Sequence, residues 1–151
     1  MKAVLQRVTS AKVRVGSELA GAIGRGWLVY LGVGQDDQGE DADWLIRRIL
    51  SLRMFPVSGG PEVCVAEAGG SLLVVSQFTL FANCRKGGKP SWHRAANPEK
   101  GETLYRYFLE NLRAREGLTV AAGRFGALME VESVNDGPIT LLLDSRAKSG
   151  K

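Results

Sequence analysis

KAVLQRVTSAKVRVGSELAGAIGRGWLVYLGV, residues 2–33, is the stretch on which the reading of the fold turns. Val4, Gln6 and Val8, then Val13 and Val15 around Lys12 and Arg14, alternate with a period of two, as half-buried strands do. Gly16-Ser17 offers a turn into a second strand over 18–23, which makes a hairpin. After a further turn at Gly24-Arg25-Gly26 comes WLVYLGV at 27–33, apolar throughout, which has to be covered on both faces and so belongs at the centre of a sheet.

Working outward, the period changes from Glu40 to Arg53. Ala42, Leu45, Ile46, Ile49, Leu50 and Leu52 gather on one arc of a helix, with Asp43, Arg47, Arg48 and Ser51 outside it. Trp44 falls off that arc, as a contact with another subunit or as a lone surface tryptophan. Short strands are expected near 53–55 and 62–65 around the turn Pro56–Pro61, and LLVVSQF at 72–78 reads as another buried strand. Asn97, Pro98 and Glu99 supply an N-cap, a first-turn proline and a first-turn acid for a helix over 98–114, with the stripe Leu104, Tyr105, Phe108, Leu109 and Leu112. Met129, Val131 and Ser133 alternate with Glu130 and Glu132, and ITLLLD at 139–144 closes the fold. The expectation is an α+β chain: one β-rich domain over 1–146, a curved and largely antiparallel sheet with two main helices, and a disordered polar tail at 147–151.

At 151 residues, 44% hydrophobic and 24% charged, the chain suits one globular domain. No run approaches the ~20 apolar residues of a membrane span, and Met1 to Val15 is interrupted by charge, so neither anchor nor signal peptide is expected. Two cysteines, Cys64 and Cys84, are too few for a disulfide scaffold and lack zinc spacing, which points to a reducing compartment, by default the cytoplasm. The single histidine, His93, excludes a site with several histidine ligands, and any Ser-His or Cys-His nucleophile would have to pass through it. No metal or cofactor is expected.

Three segments carry candidate chemistry. CRKGGKPSWHRAANPEK at 84–100 holds Arg85, Lys86, Lys89, Arg94 and Lys100 against Glu99, a surplus equal to the net charge of the whole chain, +4. With Trp92 among the cations it reads as an exposed loop for phosphates and a base, or as a solvated surface loop. The strand LLVV runs into Ser76-Gln77-Phe78-Thr79, polar groups at a strand end where sites are built, although Ser76 and Thr79 also suit plain turn hydrogen bonds. Asn135-Asp136-Gly137-Pro138 is either a connection between two strands or a rigid acceptor edge with a cis Gly-Pro bond; only ~5–6% of X-Pro bonds are cis, and spacing cannot raise that figure.

Taken together, LQRVTSAKV at 5–13, GGSLLVVSQFTLFA at 69–82, GKPSWHRAA at 88–96 and GRFGALMEVESVNDGPIT at 123–140 closely resemble the D-aminoacyl-tRNA deacylase family, from Met1 to about Asp144. The departures are modest: Trp92 where the family more often has Phe, Glu62-Val63-Cys64-Val65 for an Asn-containing stretch, and Ala121-Ala122 for a more polar pair. The resemblance implies hydrolysis of the ester of D-aminoacyl-tRNA, and of mischarged glycyl-tRNA, without a cofactor. Backbone donors around Ser76, Gln77, Phe78 and Thr79 would face the scissile carbonyl, and the ribose hydroxyl of the terminal adenosine would activate water. A runner-up mechanism makes the Thr79 hydroxyl a nucleophile, which needs an adjacent base. The resemblance further implies a cis Gly137-Pro138 pair that excludes L residues, a bracing role for Arg7, and a homodimer in which this motif crosses to the other subunit. Phe125 and Met129 read either as pocket walls or as core. Arg85, Lys86, Lys89, Trp92, His93 and Arg94 would hold tRNA. A non-catalytic tRNA-binding module is the alternative of a different class.

Overall fold

The computed structural model describes residues 1–85 and 87–147. Its opening strand, β1 (Lys2–Val15), is followed by β2 (Glu18–Ile23), β3 (Gly26–Gly32), the helix α1 (Gly39–Ser51), β4 (Ser71–Ser76), α2 (Pro98–Arg113), β5 (Thr119–Ala122) and β6 (Glu130–Asp144). The result is a single α+β domain. β1 pairs antiparallel with β6 along most of its length, with β3 over residues 2–8 and with β2 over residues 11–15. The strand has two edges, so β6 occupies one while β3 and β2 share the other.

The central strand is where the apolar run placed it, with Trp27, Leu28, Val29 and Leu31 buried. Its other neighbour, β4, is parallel, and β5 is parallel to β4. Two parallel pairings thus join three antiparallel ones in a mixed sheet, because the chain returns through α1 and through α2 instead of through a hairpin. The sheet curls until β2 meets β5. A Cβ on Gly21 would stand 2.8 Å from the carbonyl oxygen of Ala122, so the near-closure needs glycine there.

One face of this curved sheet encloses Val8, Val13, Leu28, Leu73 and Val75; the other packs Leu5, Val29, Leu72 and Val74 beneath the helices. α1 buries Ala42, Leu45, Ile46 and Ile49, as its period predicted, and Asp41 accepts the Gln38 N–H at 2.9 Å at its start. α2 begins where its cap placed it: the Asn97 side chain accepts from the Lys100 N–H at 2.9 Å. Trp44 is half-buried against the core and not a lone surface ring. The strands expected near 53–55 and 62–65 reduce to a bridge between Phe55 and Val63, since the segment between them is too short and polar to extend a ladder. The two strands expected around 129–133 and 139–144 are one continuous β6. A short turn, Ser145–Ala147, ends the described chain, and the rest of the expected tail, 148–151, lies outside the described residues.

One buried ion pair ties the strand ends together. The Met1 ammonium, fully buried, lies 2.8 Å from Asp37 Oδ1 and donates to Ser145 Oγ, while Asp37 Oδ2 accepts the Gly34 N–H at 2.5 Å. Removing one partner of a buried pair strands the other charge in a medium that cannot solvate it. Asp37→Asn is therefore expected to lower unfolding stability by about 3–5 kcal/mol, read as a fall in the urea midpoint at unchanged slope. An unchanged midpoint would show that the pair contributes nothing net.

Candidate active site

Ser76 closes β4 opposite Leu31, and the Gln77 N–H carries the parallel pairing one residue further by donating to the Leu31 carbonyl at 2.8 Å. The chain then tightens into a 3-10 turn, Phe78–Phe81. That turn lies hard against the end of β3. A Cβ on Gly32 would sit 2.9 Å from the Gln77 carbonyl oxygen, and one on Gly34 would sit 2.6 Å from the Phe81 ring. Neither glycine was singled out from sequence, although Gly-Val-Gly at the end of an apolar strand was the available signal.

At the head of the turn, the N–H groups of Phe78 and Thr79 precede the first residue that can bond back within it; the Leu80 N–H donates to the Gln77 carbonyl at 3.3 Å. Gln77 does not cap them with its side chain. Its amide donates instead to Thr79 Oγ1. Thr79 is accordingly partnered by an amide and not by a base.

Ser76, Gln77 and Phe78 border a cleft of about 550 Å³ at the C-terminal ends of the parallel strands, where open α/β sheets place their ligands. Its walls are mainly apolar: Leu31, Val33, Val75 and Tyr105 on one side, Phe125, Leu128, Met129 and Val131 on the other, with Ser76, Gln77 and Phe78 between. Thr79 does not reach this lining. Phe125 and Met129 thus line the cleft while also packing against the core, and two further glycines lie close beside them. A Cβ on Gly101 would lie 3.2 Å from the Phe125 ring, and one on Gly123 would lie 2.6 Å from Met129 Sδ. The Tyr105 hydroxyl donates to the Val74 carbonyl at 2.9 Å. Burial pushes its pKa up to about 12, so it remains a neutral donor at ordinary pH and is no candidate base.

The second signature stands elsewhere. In the β1–β6 register Gln6 faces Thr140 and Val8 faces Asn135, so residues 136–139 all lie opposite Arg7 and bulge out of the ladder. Arg7 is buried: it is 7% exposed, its Nε lies 2.8 Å from Asp136 Oδ2, and it also donates to the Met54 carbonyl. Asp136, unassigned from sequence, is the acid it grips. The Gly137-Pro138 bond is cis, both residues are exposed, and a Cβ on Gly137 would meet only Asn135 Nδ2, at 3.7 Å. Arg7 pairs with Trp27, four residues along β3 from Leu31 of the cleft lining, so the motif lies roughly 13 Å along the strand from its own chain's cleft. One chain does not bring the two signatures together.

The basic loop does adjoin the cleft. Asn83 and Ser91 exchange backbone hydrogen bonds of 2.9 and 3.1 Å across its neck, and the Trp92 ring meets Phe78 edge-on with centroids 5.5 Å apart. Arg85, Lys89, Trp92, His93 and Arg94 are exposed; Lys86 lies outside the described residues. Among the described residues no group of three His, Cys, Asp or Glu side chains is placed to hold a metal ion. None of the described helices is long and apolar enough to cross a membrane.

A family model described as D-Tyr-tRNA(Tyr) deacylase matches residues 4–144. The chain belongs to that family. Among curated relatives it is 53% identical to the D-aminoacyl-tRNA deacylase of Syntrophotalea carbinolica, over 96% of this chain and 97% of that one. It is 51% identical to the D-aminoacyl-tRNA deacylase of Thermotoga petrophila, over the same shares. Of solved structures, the c-Myc DNA Unwinding Element Binding Protein superposes with a TM-score of 0.86 at 43% identity, covering 95% of this chain and 98% of that one. A structure described as a probable eukaryotic D-amino acid tRNA deacylase superposes with a TM-score of 0.80 at 18% identity, covering 94% of this chain and 97% of that one, and speaks for the fold alone.

As a member of this deacylase family, the chain is expected to depend on the close seat of its 78–81 turn. Gly32→Ala forces the Gln77 carbonyl aside, and a misplacement of this order at a reacting centre costs roughly tenfold or more in rate. The check is the hydrolysis rate of a D-aminoacyl-tRNA at saturating enzyme alongside a melting curve. A folded variant with wild-type rate would show that the turn's position is immaterial.

Proposed function

We propose that this chain hydrolyses the ester linking a D-amino acid to tRNA, releasing free tRNA, and that the cleft at the end of β4 is where it does so. The observation carrying this reading is the run of uncapped backbone N–H donors that opens at Phe78, on the lining of an apolar cleft. Such donors stabilise the oxyanion that develops when water attacks an ester carbonyl, and fixed backbone dipoles need no reorganisation as the charge appears. The substrate supplies the rest: the ester is already activated, and the neighbouring ribose hydroxyl of the terminal adenosine activates the water. Thr79 as nucleophile is the weaker alternative, because its hydroxyl is engaged by the Gln77 amide and lies off the cleft lining.

Selection against L residues belongs to Gly137-Pro138, whose carbonyls accept from the substrate ammonium while the edge fills the space an L side chain needs; D residues and glycine enter. Since the motif lies far from its own cleft, it serves the cleft of a second copy, which makes the working unit a homodimer. Exposed Val134 and Leu142 on β6 give such a pairing an apolar face. Arg7 and Asp136 hold the edge in place. Arg85, Lys86, Lys89 and Arg94 neutralise phosphates at the acceptor end of the tRNA, with Trp92 or His93 offering a ring. The reaction belongs in the cytoplasm, where aminoacyl-tRNA is used, and takes no cofactor.

Incubation with matched D- and L-aminoacyl-tRNA tests the reading: the D ester is expected to be cleaved and the L ester left intact. Binding of both with cleavage of neither would favour a non-catalytic tRNA-binding module. Gly137→Ala has room within its own chain, so the variant is expected to fold and bind tRNA normally yet lose about tenfold or more in D-ester cleavage, or 1.4 kcal/mol of barrier. Full activity would remove the exclusion edge. A substrate lacking the terminal ribose hydroxyl is expected to react far more slowly, whereas Thr79→Ala keeps most of its rate; the reverse pattern would establish Thr79 as nucleophile.

A further inference from the structure

Phe78 heads the 78–81 turn with its ring 57% exposed, so core packing does not fix it. The turn also lacks a side-chain cap. The backbone is held at Gln77 by its N–H on the Leu31 carbonyl, at Leu80 by its N–H on the Gln77 carbonyl and at Ala82 by its N–H on the Thr79 carbonyl at 3.0 Å, and the Phe78 ring is a further handle on the residue between. The ring contact the structure shows there is Trp92, edge-on at 5.5 Å with an interplanar angle of 72°.

Trp92 is itself fastened on both sides. The Asn83–Ser91 pair precedes it, the Ala95 N–H donates to its carbonyl at 2.9 Å, and Gln35 and Ala96 tie the next residues to the end of β3 through the Arg94 and Val33 carbonyls at 3.1 and 2.9 Å. The ring therefore stands on the stem of the basic loop, on the same frame as the cleft, although the sequence suggests an RNA-stacking role for it.

We propose that Trp92 is a positioning residue for the hydrolytic turn: its ring holds Phe78, and with it the backbone N–H at the head of the turn, in the orientation the developing oxyanion requires. The proposal rests on the deacylase reading of the cleft. It also gives Trp92 a role apart from the phosphate contacts proposed for the cations beside it.

The test compares wild type, W92A and W92F on D-aminoacyl-tRNA and on a D-aminoacyl-adenosine fragment that lacks the tRNA body. A positioning role predicts that W92A loses roughly tenfold in single-turnover rate at saturating enzyme on both substrates, with a much smaller change in KM for the tRNA. W92F, keeping a ring edge, is expected to restore most of that rate, and the partly exposed site predicts an unchanged melting temperature. If W92A fails to fold, W92L carries the same comparison. A loss confined to KM for the tRNA, with the fragment cleaved at the wild-type rate, would make Trp92 an RNA contact only and overturn the proposal. A wild-type protein that cleaves neither substrate would instead overturn the deacylase reading itself.

Discussion

β1 has two edges and three partners, and that sharing sets where everything else stands. With β6 along one edge, β3 and β2 must divide the other, so the strand has to curl between Val8 and Ala11 to serve both. The curl brings β2 round to β5 and encloses a second apolar core around Val13, Leu28 and Val75. It also fixes the two signatures. The parallel strands β3 and β4 end together at the cleft, while the residue of β1 that faces the start of β3, Arg7, is the one opposite which four residues of β6 bulge outward.

Small residues then decide how closely the pieces meet. Gly32 and Gly34 admit the 78–81 turn, Gly101 clears the Phe125 ring, Gly123 clears Met129 and Gly21 lets the sheet nearly close. None of these positions needs a left-handed backbone, so their shared reason is the absence of a Cβ. The buried Met1–Asp37 pair works at the same place, since Asp37 also fixes the Gly34 N–H beneath Phe81. The cleft is thus the product of a strand end, a turn and a helix held within a few tenths of an ångström.

Much of this was legible before any coordinates. The period-two alternation of β1, the apolar run of β3, and the cap of α2 at Asn97-Pro98 each specify local structure through hydrogen bonding and burial that neighbouring residues decide. The parallel entry of β4 was not legible, because partner choice depends on how α1 crosses the sheet. Nor was the continuity of β6: Asn-Asp-Gly-Pro carries turn chemistry, and only the register against Arg7 shows that it is a bulge within a strand. Asp136 and the close-contact glycines escaped for the same reason, as their roles are set by residues distant in sequence. Phe125 and Met129 pack against the core and line the cleft at once, which periodicity cannot separate.

We propose that the cleft of one copy is completed by Gly137-Pro138 of another. Mixing two impaired variants under conditions of subunit exchange tests this, one carrying Gly32→Ala beneath the 78–81 turn and the other Gly137→Ala in the edge. In a mixed dimer one site combines both defects and the other combines neither, so D-aminoacyl-tRNA cleavage is predicted to return to about a quarter of the wild-type level at full exchange. A mixture that stays as inactive as its components, with exchange demonstrated, would contradict the shared site.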